Sequence, residues 1–294
     1  MLSLLIPTVA QGLLWALMAL GVYVTFRVLD IADLTVEGSF PLGAATAASM
    51  MVAGFGPLTA LLAAFVAGML AGVVTGLLHT KMKIPALLAG ILTMIALYSV
   101  NLRIMGKANL SLLGVDTAFK LAKSALDLSM AQTTLVVGLA ATLIVGFFMY
   151  WFFGTQIGAA IRATGFNQQM IRAQGVDTDI TIILGLLLSN GLVAVSGALV
   201  AQSNGFSDVG MGTGTIVIGL ASVIIGEVLF GTRSFKNCLI SVVLGSIVYR
   251  IVIAAVLAMG MPPNDLKLFT SVLVALALSM PLIKAKMGGR KAVR

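Results

Sequence analysis

Charge is what this sequence has least of. Only 10% of its 294 residues are Asp, Glu, Lys or Arg, where a soluble domain carries about 25%. That is too few to coat a globule of this size, which excludes a soluble enzyme, a nucleic-acid-binding domain and a disordered chain. The single cysteine, Cys238, permits no intrachain disulfide, and the single histidine, His79, cannot build a metal site alone, so neither a metal nor a nucleic-acid partner is expected. The sequence has no G-x-x-x-x-G-K-[ST] phosphate loop: Gly106-Lys107 lacks both the earlier glycine and the following hydroxyl. Gly210-Met-Gly-Thr-Gly214 is not a G-x-G-x-x-G and opens an apolar helix rather than following a strand. H-E-x-x-H and G-x-S-x-G are missing, and intramembrane carboxylates that could relay protons are nearly absent. Without an engine or a cofactor of its own, the chain is either passive or driven by a partner.

What is present is apolar. Hydrophobic residues make up 60% of the chain and the mean hydropathy is +1.11. Nine stretches are apolar enough to enter or cross a bilayer. Full spans are expected at Leu4–Phe26, Leu58–Leu78, Ile84–Leu102, Ala131–Phe153, Ile180–Gln202, Asn237–Met259 and Leu266–Ile283. Phe40–Ala53 and Thr215–Phe230 are shorter and rich in Gly, Ala and Ser, as tilted, broken or re-entrant segments are. The N-terminus lacks the basic start and small-residue cleavage site of a signal peptide, so the first segment is expected to stay as a membrane helix. The expected fold is all-α and polytopic, with eight or nine transmembrane helices in one domain over residues 1–294 and no soluble domain attached.

The net charge of +8 reports orientation. With nine crossings, one side holds Arg27, Lys81, Lys83, Arg162, Arg172, Arg233 and Lys236, and the tail 284–294 adds five more; the other side holds Arg103, Lys107, Lys120, Lys123 and Lys267. Twelve against five places the C-terminus, and the segment 154–179, in the cytoplasm and the N-terminus outside.

Four motifs carry information. Gly68, Gly72 and Gly76 form two overlapping G-x-x-x-G steps, a flat stripe for close helix approach, within the chain or in a dimer. Asp30-Ile-Ala-Asp33-Leu-Thr35-Val-Glu37-Gly38-Ser39-Phe-Pro41-Leu-Gly43 sets acids and hydroxyls against a Gly/Pro-rich apolar segment. It is either an ordinary cytoplasmic loop or a broken helix of the kind that lines a transport path. Asp208-Val-Gly210-Met-Gly212-Thr-Gly214-Thr215 repeats the glycine-turn-then-short-helix arrangement in the other half of the chain, a weak internal repeat. In Gly154–Asp177, a short helix over Phe166–Gln174, punctuated by Gly165 and Gly175, is expected to project Phe166, Met170 and Ile171. Such a helix either docks into a partner's groove or lies on the membrane surface. Glu227 and Arg250 are charges in or near spans that need a partner, and Asn101, Ser189 and Asn190 are polar candidates in the same setting.

These residues resemble the membrane permease subunits of bacterial ABC importers in the branched-chain amino acid and ribose permease superfamily, and most of all the branch that includes a tryptophan-type permease. The likeness runs from Gln11 to about Lys284. Gly158, Arg162, Ala163, Gly165, Asn167, Ala173, Gly175 and Val176, followed by Ser189, Gly191, Ala194 and Gly197, are similar to the family's cytoplasmic coupling segment and the helix after it. Asp33–Ser39 is similar to its D-L-[ST]-V-x-G-S stretch, and Gly212 to Gly226 to its second glycine-rich approach to the pathway. Glu227 departs from the family, where many members carry a second glycine after Gly226, and this counts against a sugar-type member.

The resemblance implies two permease copies in the bacterial plasma or inner membrane, enclosing a central path. Two cytoplasmic ATPases would bind ATP and Mg, and an extracytoplasmic binding protein would deliver solute. It implies pathway residues among Asp33, Thr35, Glu37, Ser39, Gly43, Asn101, Asn190, Gly212, Gly214 and Ser222. It also implies ATPase coupling by Arg162, Gly165, Phe166, Asn167, Met170, Arg172 and Gly175. The expected solute is a small amphipathic molecule, with an amino acid, aromatic ones included, as first choice; a sugar or nucleoside permease and a stand-alone secondary transporter are the alternatives.

Overall fold

The computed structural model describes residues 2–260 together with 262, 265, 268–272, 274–276 and 279. Half of the expected span Leu266–Ile283 and the whole tail 284–294 lie outside the described residues. The chain is helical almost throughout: α1 (Leu2–Tyr23, continued by a wider π turn at Val24–Val28), α2 (Val36–Val52), α3 (Pro57–Thr80), α4 (Ala86–Met105), α5 (Ala118–Leu126), α6 (Met130–Gly154), α7 (Gln156–Phe166), α8 (Gln168–Ala173), α9 (Thr178–Asn204), α10 (Thr215–Phe230) and α11 (Phe235–Ala258). Among the described residues seven helical segments are long and apolar enough to cross a membrane. A helix pairs its interior backbone polar groups within the segment, which is the condition for crossing hydrocarbon.

The most buried helix is α9, with α1, α2 and α3 packed around it. Helices α10 and α11 pack on each other and on α1, α6 covers α1, and α4 covers α2. Small residues let the backbones touch. A methyl group added at Gly68 or Gly72 would fall on the Asn190 or Leu186 carbonyl of α9, so the G-x-x-x-G stripe of α3 is used within the chain. Likewise α2 meets α9 where Gly43 lies on Ala194 and Gly197 on Phe40. The outward faces are apolar instead of polar: Leu143, Ile144, Phe147 and Trp151 of α6 are all well exposed, the arrangement expected of a surface solvated by lipid tails.

Two elements differ from the sequence expectation. The segment read as starting at Phe40 is one unbroken helix, α2, from Val36, with 17 residues. Pro41 lies inside it without ending it, and Gly212 packs closely on the Glu37 carbonyl one turn before the proline. The expected helix Phe166–Gln174 is instead two: Phe166 closes α7, and α8 starts at Gln168. Asn167 makes the corner in an extended conformation, its Oδ1 accepting from Met170 N at 3.0 Å as an N-cap. Gly175 does end the segment, at φ 85°. A small antiparallel ribbon, β1 (Asn109–Ser111) with β2 (Phe206–Asp208), was not expected; it ties the α4–α5 connection to the α9–α10 connection.

Of the residues that charge counting put on one side, Arg27, Lys81, Arg162 and Arg172 make their contacts at one end of the bundle. Lys81 and Arg172 lie 3.1 and 3.5 Å from Asp179, Arg162 stacks over Phe235, and Arg27 pairs with Glu227. The ribbon lies at the opposite end.

Candidate functional site

The π turn carries α1 into a short irregular stretch, Leu29–Leu34, in which Asp30 takes a left-handed conformation (φ 55°). This stretch runs back into the bundle, so α2 begins inside it. Asp33, 2% exposed, accepts from Thr35 N at 2.9 Å and from Asn190 Nδ2 at 2.8 Å, and Asn190 is near the middle of the 27-residue α9. Ser39 donates to Asn190 Oδ1 at 2.7 Å, and the hydroxyls of Thr35 and Thr75 are 2.7 Å apart. Four expected pathway residues, Asp33, Thr35, Ser39 and Asn190, are thus joined in one cluster closed to solvent. Each buried polar atom there has a partner, which is what burial demands.

A second start lies next to the first. After the turn Val209–Gly212, Gly214 adopts φ 83° as the N-cap of α10. Its N–H donates to Glu37 Oε1 at 3.0 Å, and Gly212 rests on the Glu37 carbonyl. The two glycine- and acid-marked motifs, far apart in sequence, are therefore in direct contact, and two helix N-termini meet within the bundle. Broken segments of this kind line solute sites in transporters.

Beside this junction is a cavity of about 480 Å³, bordered by Glu37, Met94, Tyr98, Ser99, Asn101 and Thr213, among others. Asn101 Nδ2 donates to the Gly38 carbonyl at 3.3 Å, while its Oδ1, also buried, has no partner among the described residues. Of the expected pathway residues, Glu37 and Asn101 border this cavity, and Gly214 borders a second one of about 330 Å³. Gly43 instead packs on Ala194, and Ser222 bonds back to the Ile218 carbonyl of its own helix at 2.8 Å, facing α11. Tyr98, Ser99, Thr75 and Thr213 were not singled out from the sequence. Tyr98, Ser99 and Asn101 form a polar group in an otherwise apolar helix, and that was the available signal.

The coupling candidates gather at the basic end. Arg162, Gly165, Phe166 and Met170 border a larger hollow of about 750 Å³, with Arg27 and Asp30 across from them. Gly165 lies directly on the Val28 carbonyl at the end of α1. Thr164 and Thr181 share a hydroxyl hydrogen bond of 2.8 Å that ties α7 to α9. Phe166 is 94% exposed and Met170 48%. Arg172 reaches Asp179, and Asn167 makes the corner.

Both intramembrane charges find company. Glu227 pairs with Arg27, linking the end of α10 to the end of α1. The Arg250 guanidinium carbon lies 4.1 Å from the Trp15 ring centre, a cation–π contact worth about 2 kcal/mol when desolvated.

Membrane-crossing helices packed through small residues, with two interrupted segments meeting inside them, define a transport permease. Residues 4–279 match the family described as the permease component of branched-chain amino acid transport systems, and the chain belongs to it. It is 41% identical over 273 residues to the tyrosine transport system permease protein of Clostridioides difficile (strain R20291), covering 93% of this chain and 90% of that one. With a galactofuranose transporter permease protein of Escherichia coli (strain K12) it shares 30% over 271 residues, covering 90% and 75% of the two chains. Its fold is similar to a solved ABC transporter chain assigned to the metal-chelate type, in an inward-facing conformation, with a TM-score of 0.51 at 16% identity over 96% of this chain and 85% of that one. The protein is the permease of an ABC transporter, a multi-pass membrane component of it.

Proposed function

We propose that this permease imports an amino acid, aromatic ones included, and that two copies pair around a central path. Separate ATPase subunits bind ATP and Mg at the cytoplasmic face, and an extracytoplasmic binding protein delivers solute to the other. The basic end faces the cytoplasm, which the charge count of loops and tail supports. The amino-acid assignment is supported by the tyrosine permease relative, and by a cavity that combines an aromatic ring and apolar walls with few polar groups. In this scheme Glu37, Asn101 and Gly214 border the path, and Gly212 packs α10's approach onto α2. Asp33, Thr35, Ser39, Gly43, Asn190 and Ser222 act behind it by seating α2 and α10.

The observation that carries the proposal is the α7–α8 elbow. It offers Phe166 to a partner while Gly165 rests on the end of α1. An ATPase that gripped Phe166 and Met170 would move α1, and through the Arg27–Glu227 pair α10, whose N-terminus meets Glu37. Coupling then requires the ATPase to bind the outward- and inward-open forms with different affinity.

The solute assignment is tested with the complete complex of permease, ATPase and binding protein in proteoliposomes. Labelled tyrosine is expected to accumulate with ATP and to be displaced by excess unlabelled tyrosine but not by galactofuranose. Uptake of the sugar in place of the amino acid would replace this assignment.

A further inference from the structure

We propose that Glu37 and Asn101 together hold the protonated amine of the solute, and that the cavity selects for an ammonium-bearing molecule. The proposal rests on the amino-acid reading above and deepens it.

Asn101 fixes its own orientation. A carbonyl can only accept, so the side-chain nitrogen must be the atom on the Gly38 carbonyl, at 3.3 Å. Oδ1 is then the free atom: an acceptor on a residue 0% exposed, bordering the cavity, with no donor among the described residues. Buried polar atoms in native structures are nearly always paired, so each exception calls for an explanation, and here the open acceptor belongs to a residue that borders a cavity.

Glu37, one position from the carbonyl that Asn101 holds, borders the same cavity. Its Oε1 is held by Gly214 N–H at 3.0 Å, which fixes the carboxylate in place. No ion pair to Glu37 exists among the described residues. The hollow thus offers a fixed carboxylate and a fixed amide oxygen, with the hydroxyls of Ser99 and Thr213 and the Tyr98 ring around them. Acceptors of this kind complement an ammonium group, which has three N–H donors and no acceptor. They repel a carboxylate and have no preference for a sugar hydroxyl over water. A volume of about 480 Å³ lies within the ~300–1,000 Å³ range of small-molecule sites, and Met94 and Tyr98 supply a surface for an apolar body.

The test is direct ligand binding to the permease–ATPase complex in lipid nanodiscs, without the binding protein so that its selectivity is not read. Saturation-transfer NMR would compare tyrosine, tyramine, which keeps the amine and lacks the carboxylate, and 3-(4-hydroxyphenyl)propionate, which keeps the carboxylate and lacks the amine. The expected result is signal from tyrosine and tyramine, and about tenfold weaker signal from the compound without the amine, the loss expected when a charged donor leaves a carboxylate. Glu37→Gln keeps an oxygen for Gly214 N–H and should erase that preference. Equal binding of all three compounds, no binding of any, or a preference unchanged in Glu37→Gln would overturn the proposal. So would a signal that needs sodium and is indifferent to the amine, because the acceptors would then hold a metal cation. If the wild-type complex prefers amines yet does not take up tyrosine, the solute assignment fails and the ammonium site stands. If tyrosine is taken up without amine preference, the reverse holds.

Discussion

Leucine in place of Gly165 is expected to lower ATP-driven uptake at least about tenfold while the ATPase still co-purifies with the permease. Gly165 is the point where α7 lies on the end of α1: any side chain there would overlap the Val28 carbonyl oxygen, with the Leu29 backbone close behind. Leucine would lift α7 from α1 without entering the core, since neither Phe166 nor Met170 on its outer side needs to move relative to the ATPase. The grip persists and the transmission is lost. Allosteric couplings typically amount to 1–3 kcal/mol, or about 5- to 150-fold, so wedging apart the closest approach between α7 and the end of α1 should remove most of that factor. The readout is uptake of labelled solute by the complete complex, with ATPase content measured in the same preparation. Undiminished uptake would mean that force reaches the path by another route.

Leucine in place of Asn190 is expected to unseat α2. Asn190 is the hub of the closed cluster, donating to Asp33 Oδ2 and accepting from Ser39 in a place that water does not reach. Leucine has a similar volume but no polar atom, so Asp33 Oδ2 and the Ser39 hydroxyl would lose their Asn190 partners in the interior, and Asp33 would keep only its bond from Thr35 N. Leaving a buried donor or acceptor without its partner costs about 1–3 kcal/mol. The double variant Asp33→Ala with Asn190→Leu removes both sides of the main bond and should be less damaging, because replacing both partners by apolar groups forfeits less than orphaning one. Thermal unfolding of the purified permease, followed by tryptophan fluorescence, is expected to show a much lower midpoint for Asn190→Leu and partial recovery in the double variant. An unchanged midpoint would show that the cluster does not hold α2.

Long apolar runs made the spans legible: Ala131–Phe153 was expected where α6 runs Met130–Gly154, and Ile180–Gln202 where α9 runs Thr178–Asn204. The start of α2 was not, for a physical reason. Asp33 to Ser39 look like a solvated loop because their partners, Asn190 and Thr75, are 151 and 40 positions away from Ser39 and Thr35. Local pattern contains no trace of that compensation. Gly165 misled in the opposite way: it resembles a helix stop, yet it sits inside α7, where its missing side chain serves contact with Val28. The three-residue strands β1 and β2 are too short to show any period. The pairing of Arg27 with Glu227 spans 200 positions, and the sequence could say only that Glu227 needed a partner. The meeting of the two glycine-marked motifs was suggested by their similar layout, and the Gly214–Glu37 contact gives that layout a geometric meaning.

The most direct measurement compares proteoliposomes that hold the permease alone with proteoliposomes that also hold its ATPase and binding protein. The permease alone is expected to accumulate no solute against a gradient, whether a proton or a sodium gradient is imposed, and the complete complex is expected to do so only with ATP. Concentrative uptake by the permease alone would contradict the central claim that this chain supplies the gated path while the driving force comes from outside it.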